Sequence, residues 1–304
     1  MGADRMRTIG LAVAIVLLGT GPSLAHDGGS SGATPAWTFD RWIVLPLLIS
    51  GLLYAAGALT LSRRSRDPRA SRGWHHVAYL LGWLSLVGAL VSPLHWLGEH
   101  LFTFHMIEHE IVMAVAAPLI VLARPLGAMM WSLPRWSRLA LARLLRSNPS
   151  RMAWDWASNG RNATVLHGLA IWAWHAPPLF DAAVDNVIIH RLQHLSFFVT
   201  AVLFWWSVFR RSESGAGAWH LFITMLHTSA LGALMALATH VLYQAQTADA
   251  LAFGLTPLQD QQLAGLIMWV PAGTIYAGAA LALMASWIAS SSQDAGDDHA
   301  ARAL

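Results

Sequence analysis

Charged residues in this chain are gathered into a few stretches, and between them run apolar segments each about 20 residues long. Backbone N–H and C=O groups find no water inside a bilayer, so such segments fold as helices that satisfy their own backbone. Of 304 residues, 56% are hydrophobic and 12% are charged, about half the charged fraction of an ordinary soluble domain. The expectation is an all-α, polytopic transmembrane helical bundle. About seven spans can be read from the sequence, at 42–61, 74–93, 105–123, 163–179, 190–209, 219–243 and 264–288.

The organisation expected around those spans is simple. Residues 1–25 read as a signal peptide: Arg5 and Arg7, a short apolar core and the small-residue site Ser23-Leu24-Ala25. Residues 26–41 read as a flexible periplasmic segment, 42–289 as a seven-helix transmembrane domain and 290–304 as a disordered cytoplasmic tail. The loops after spans 1, 3 and 5 carry most of the arginines, among them Arg63, Arg66, Arg124, Arg143, Arg151, Arg210 and Arg211. The positive-inside rule then predicts a multi-pass protein of the bacterial inner (plasma) membrane, with the mature amino terminus outside and the carboxyl terminus in the cytoplasm. Within the long loop, residues 131–147 interleave arginines with Trp136, Leu139, Leu144 and Leu145, the pattern of a helix lying on membrane lipid. The formal charge of +3 is accounted for by these loops and implies no nucleic-acid partner.

Histidine is the residue type left to explain. Eight of the fifteen fall at or just beyond span ends on the side away from the arginines: His95, His100, His105, His109, His175, His190, His194 and His240. Imidazole near a bilayer is costly unless it faces a protein interior, a water cavity or a metal. His105/His109 and His190/His194 are i, i+4 pairs, which place both rings on one helix face, one turn apart. Two such pairs at equal depth suit a shared metal or cofactor site, with ring nitrogens about 2 Å from an ion. Glu108 lies beside the first pair and suits either a ligand or a group that orients an imidazole. His95, His175 and His240 are further candidate ligands. His167 and His227 fall deeper within their spans and are candidates in their own right. Met106, Met113, Met225, Met235 and Met268 offer thioethers, though core packing accounts for them equally.

The chain has no cysteine, which excludes thiolate metal sites, disulfides and cysteine nucleophiles. No glycine-rich phosphate loop and no Ser-His-Asp ordering stands out, so no catalytic residue is assigned and a non-enzyme is expected. The remaining donors suit copper, zinc or iron at an oxidising surface. His105-Met-Ile-Glu108-His109 also fits the H-x-x-E-H pattern of an intramembrane zinc metalloprotease. A haem-binding or electron-transfer protein with axial histidines from two helices, and a scaffold in which the histidines only pack, are the other classes left open.

Five ordered blocks carry a resemblance: HMIEHEIVMAVAAPLIVLARPLG from His105, WAWHAPPLFDAAV from Trp172, HRLQHLSFFVTAVLFWW from His190, HTSALGALMALATHVLY from His227 and LTPLQDQQLAGLIMWVPAG from Leu255. Together they make the chain resemble the CtaG-type family of seven-helix proteins linked to assembly of caa-type cytochrome c oxidase. Many members of that family carry Gln where this chain has Glu108. The resemblance implies a cytochrome c oxidase assembly factor that binds and supplies copper at the outer face. The metal would be held by His105, His109, His190 and His194, with His95, His175, His240 or Glu108 contributing. The implied partners are oxidase subunits and periplasmic copper proteins.

Overall fold

The structure is a computed structural model, and it describes residues 35–64 and 72–302. The predicted signal peptide, and most of the predicted flexible segment after it, lie outside the described residues. Among those residues the chain is helical throughout, with no strand.

The elements run in order as α1 (Arg41–Arg64), α2 (Arg72–Leu90), α3 (Pro93–His100), α4 (Phe102–Glu110), a π-helical stretch (Ile111–Ala116), α5 (Ala117–Ala123), α6 (Pro125–Ser132), α7 (Arg135–Arg146), α8 (Asn148–Ala157), α9 (Gly160–Trp174), α10 (Pro177–Asp185), α11 (Val187–Arg210), α12 (Ser214–Ala236), a 3₁₀ turn (Ala250–Phe253) and α13 (Pro257–Arg302). Five stretches are long and apolar enough to cross a bilayer: Arg41–Arg63, Phe102–Ala123, Val187–Arg210, Ser214–Ala236 and Pro257–Ala289. Gly73–Leu90 and Pro93–His100 add a sixth if their 44° bend is counted inside one span. The expected fourth span is the 15-residue α9, which rises about 22 Å at 1.5 Å per residue.

Several expected boundaries shift, each for a local reason. Span 2 does not continue to 93 followed by loop: Ser92 caps Leu94 N and Pro93 sits at the first position of a new helix, α3. Residues 175–179 do not extend span 4, because His175 ends α9 and Pro177 opens α10. Span 6 stops at Ala236 rather than 243, and the irregular stretch after it is bonded by side chains of α13 described below. α13 runs on to Arg302, since extending an existing helix needs no new nucleus. Part of the expected flexible segment is also tied down. Thr38 N donates to Val91 O at 3.0 Å, and Arg191 holds the Asp40 carboxylate through Nε at 2.8 Å and a terminal nitrogen at 2.7 Å.

The main apolar core lies among α4, α9, α10, α11, α12 and α13, and includes Phe102, Phe180, Phe197, Phe204, Trp205 and Tyr276. Met106, Met113, Met235 and Met268 are buried in it as packing groups. α12 and α13 cross with backbones almost touching: a methyl added at Gly232 would meet Trp269 N at 2.7 Å, and one at Gly265 would meet Gly232 O at the same distance. That close approach is the use small residues have in membrane helix pairs.

Candidate metal centre

The histidine end of the bundle is built around the first two turns of α4. Its cap residue, Leu101, has no side chain able to accept from the first free N–H groups. Asp260 of α13 supplies that acceptor from 158 residues away. Its carboxylate takes Phe102 N at 2.8 Å, Thr103 N at 3.0 Å and the Thr103 hydroxyl at 2.7 Å. A negative charge there also complements the helix dipole. Gln261 accepts from Leu242 N at 2.6 Å and donates to His240 O at 3.2 Å, while Gln262 donates to Ala238 O at 3.0 Å. Gln246 of the same irregular stretch donates to Gly98 O at 2.8 Å. The Tyr243 hydroxyl donates to His175 O at 2.6 Å. Burial, and then the Asp181 carboxylate, push that phenol up to about 12, so it stays a donor.

Gly98 lets α3 lie directly on α4: a methyl there would stand 3.0 Å from Glu108 Oε2 and 3.3 Å from the His105 Cα. Into this frame α4 and α11 project their histidine pairs. Ring centroids of His105 and His109 are 4.3 Å apart, those of His190 and His194 4.6 Å, and those of His109 and His194 4.9 Å across the two helices. One ring nitrogen from each of His105, His109 and His194 lies within 4.8 Å of the others. An ion bound at about 2 Å needs nitrogens about 3–4 Å apart, so modest ring rotation closes the triad.

Glu108 is wholly buried. Its Oε1 accepts from His95 Nδ1 at 2.9 Å and stands 3.6 Å from His194 Nδ1. His190 Nε2 and His194 Nε2 are 2.7 Å apart, the distance of one N–H donating to one lone pair. His175 is buried at the end of α9, its Nδ1–H donating to Ile171 O at 2.7 Å, which leaves Nε2 as the lone-pair nitrogen. Its ring centroid is 6.4 Å from that of His109.

Of the sequence-predicted candidates, His95, His105, Glu108, His109, His190 and His194 come together, with His175 at the edge. His240 does not join them. It is exposed and takes part through its backbone carbonyl, because α12 ends four residues before it. His100 turns back on its own helix, with Nδ1 on Trp96 O at 2.8 Å. Sequence reasoning missed Tyr243 and Gln246, and it placed Asp260 and Gln261 at the outer face without reading their bracing role. The polar run at 260–262 just before an apolar span was a visible signal, but its partners were not. Gln193, wholly buried on α11 between His190 and His194, was also missed.

The donor set fits a metal ion. His105 Nε2, both nitrogens of His109 and His194 Nδ1 are buried without a hydrogen-bond partner. Leaving one such group unpaired costs about 1–3 kcal/mol, and one nitrogen from each of His105, His109 and His194 lies within 4.8 Å of the others. Neutral imidazoles without cysteine suit copper or zinc.

A model of the cytochrome c oxidase caa3 assembly factor family matches residues 52–290. Uncharacterised proteins of Mycobacterium bovis and Mycobacterium tuberculosis are each 28% identical over 179 residues, covering 57% of this chain and 26% of their own length. An uncharacterised protein of Mycobacterium leprae is 24% identical over 265 residues, covering 83% of this chain and 39% of its own. The chain therefore spans between a quarter and two-fifths of the length of these relatives. No solved structure matches.

Proposed function

The chain belongs to the cytochrome c oxidase caa3 assembly factor family, and from that premise we propose that it carries copper as cargo for a maturing oxidase. His105, His109 and His194 hold the ion, with His190 and His175 beside them and Glu108 and His95 orienting the rings. The observation that carries this reading is the approach of imidazole nitrogens of His105, His109 and His194, from two helices, to within 4.8 Å of one another. The arginine-rich loops orient the bundle with its histidine end outward, at the outer face of the bacterial plasma membrane, where oxidase subunits and copper proteins of that compartment would meet it.

Imidazole ligands suit a carrier, because they bind copper without a thiolate's near-irreversible grip and compete with protons for it. Acidification therefore weakens binding. Glu108 Oε1 is engaged by His95, which suits an orienting group.

Metal analysis of detergent-purified protein tests the reading. About one copper per chain is expected, and none in a variant with His105, His109 and His194 all replaced by Ala. In cells, the same variant should lower oxidase activity as far as deletion does. Equal copper in both proteins would reject the site, and a variant that restores full oxidase activity would leave only a scaffold role.

A further inference from the structure

A second set of buried polar groups runs along the seam between α9 and α12, and the copper reading does not use it. The two helices pack side by side and run in the same direction. On α9, Thr164, His167, Gly168 and Trp172 follow at helical spacing; on α12, His220, Thr224 and His227 do the same. Their cross-contacts fix the register. Thr164 Oγ1 and His220 Nδ1 are 3.0 Å apart near the arginine end. A methyl at Gly168 would stand 3.3 Å from His227 Nε2. One turn further, Trp172 Nε1 donates to His227 Nδ1 at 3.4 Å.

The tautomers follow from the partners. The Thr164 hydroxyl already donates to Gly160 O at 2.8 Å, so at His220 it accepts, and His220 Nδ1 carries the proton. The Thr200 hydroxyl donates to Ser196 O at 2.8 Å, so it likewise accepts from His167 Nδ1 at 3.1 Å. His167 Nε2 is therefore a lone pair. His227 is the reverse: its Nδ1 accepts from Trp172, so its Nε2 carries the N–H. His167 Nε2, His227 Nε2 and the Thr224 hydroxyl are all buried without a partner, and His167 and Thr224 are wholly buried. An acceptor, a donor and a hydroxyl at neighbouring levels do not make a metal site, because a bound ion needs a lone pair from each ring. They make a site for water.

We propose that the α9–α12 seam is a proton path, in which waters join His220, Thr224, His167 and His227 from the arginine end to the turn beneath the histidine pocket. One proton enters at His220, which is half-buried at the mouth of the seam; His220 and His167 each take it up and release it at Nε2, and Thr224 accepts one proton as it donates its own. His227 Nε2–H holds the last water, from which the proton leaves near Trp172, and the hydroxyl and waters turned over by the transfer rotate back before the next. The path stands on these four residues and not on a metal at the other site.

The test uses full-length protein reconstituted in vesicles carrying an internal pH dye, with proton entry driven by a potassium diffusion potential. Wild-type vesicles should acidify faster than protein-free ones. Thr224→Val and His167→Phe should each lower the excess rate by about tenfold, as expected for loss of one member of a proton relay, while Thr224→Ser keeps it. If His167→Phe unfolds, Thr224→Val decides, because removing a hydroxyl with no partner leaves folding intact. Wild-type flux no greater than that of empty vesicles, a Thr224→Val protein that conducts like wild type, or flux that requires added copper would each overturn the proposal.

Discussion

The two ends of this bundle use the same local materials for opposite purposes. Both contain short helices opened by proline: α3 and α10 at the histidine end, α6 and α8 at the arginine end. At the histidine end Gln246 bonds α3, Asp260 the start of α4 and Tyr243 the end of α9, each from a distant part of the chain. At the arginine end α6, α7 and α8 bury no residue. Trp136, Ala140 and Leu144 form an i, i+4, i+8 stripe on α7 that no protein group covers, as expected of a helix that rests on lipid. The ion pair that ties Arg211 to Asp155 at this end is exposed, and pairs of that kind contribute little. Proline and short length set where helices begin; long-range polar bonds decide whether they form a rigid site.

Substitutions at the two ends should differ accordingly. The largest effect is expected from Asp260→Ala, which leaves two backbone N–H groups without their acceptor at the start of α4. A loss of about 2–4 kcal/mol is expected, read as a lower melting temperature in detergent together with weaker copper binding. If stability falls and copper affinity does not, the brace and the site are independent. A smaller effect is expected from Glu108→Gln. The amide oxygen can still accept from His95 Nδ1, so copper affinity should stay within about tenfold of wild type, a change of about 1.4 kcal/mol. Total loss of binding would make the carboxylate a ligand rather than an orienting group. The smallest effect is expected from Trp136→Ala on α7, within about 0.5 kcal/mol in detergent and without change in copper binding. A large loss there would mean that the arginine end is braced as tightly as the other, and the contrast would fail.

Much of this molecule was legible before any tertiary information. Apolar length marked the spanning helices, and i, i+4 spacing put His105 with His109 and His190 with His194. The misplaced end of span 6 has a cause that is not local. Residues 237–243 are as apolar as the helix they follow, yet Gln261 and Gln262 take up their backbone groups from another helix, and no local pattern announces that. His240 was misplaced for the same reason. Leu101 looks like an ordinary loop residue because the cap it lacks comes from Asp260.

By itself the sequence determined the class of the protein, since hydropathy and helical period are short-range properties written along one segment. It also determined which rings share a helix face. Only the tertiary structure decided that α4 and α11 bring their faces together around Glu108, that His240 stays outside and that His167 and His227 present complementary nitrogens across a seam. Those outcomes depend on contacts between residues up to 158 positions apart, and the geometry of such a contact is set by packing of the whole bundle rather than by either partner's neighbours.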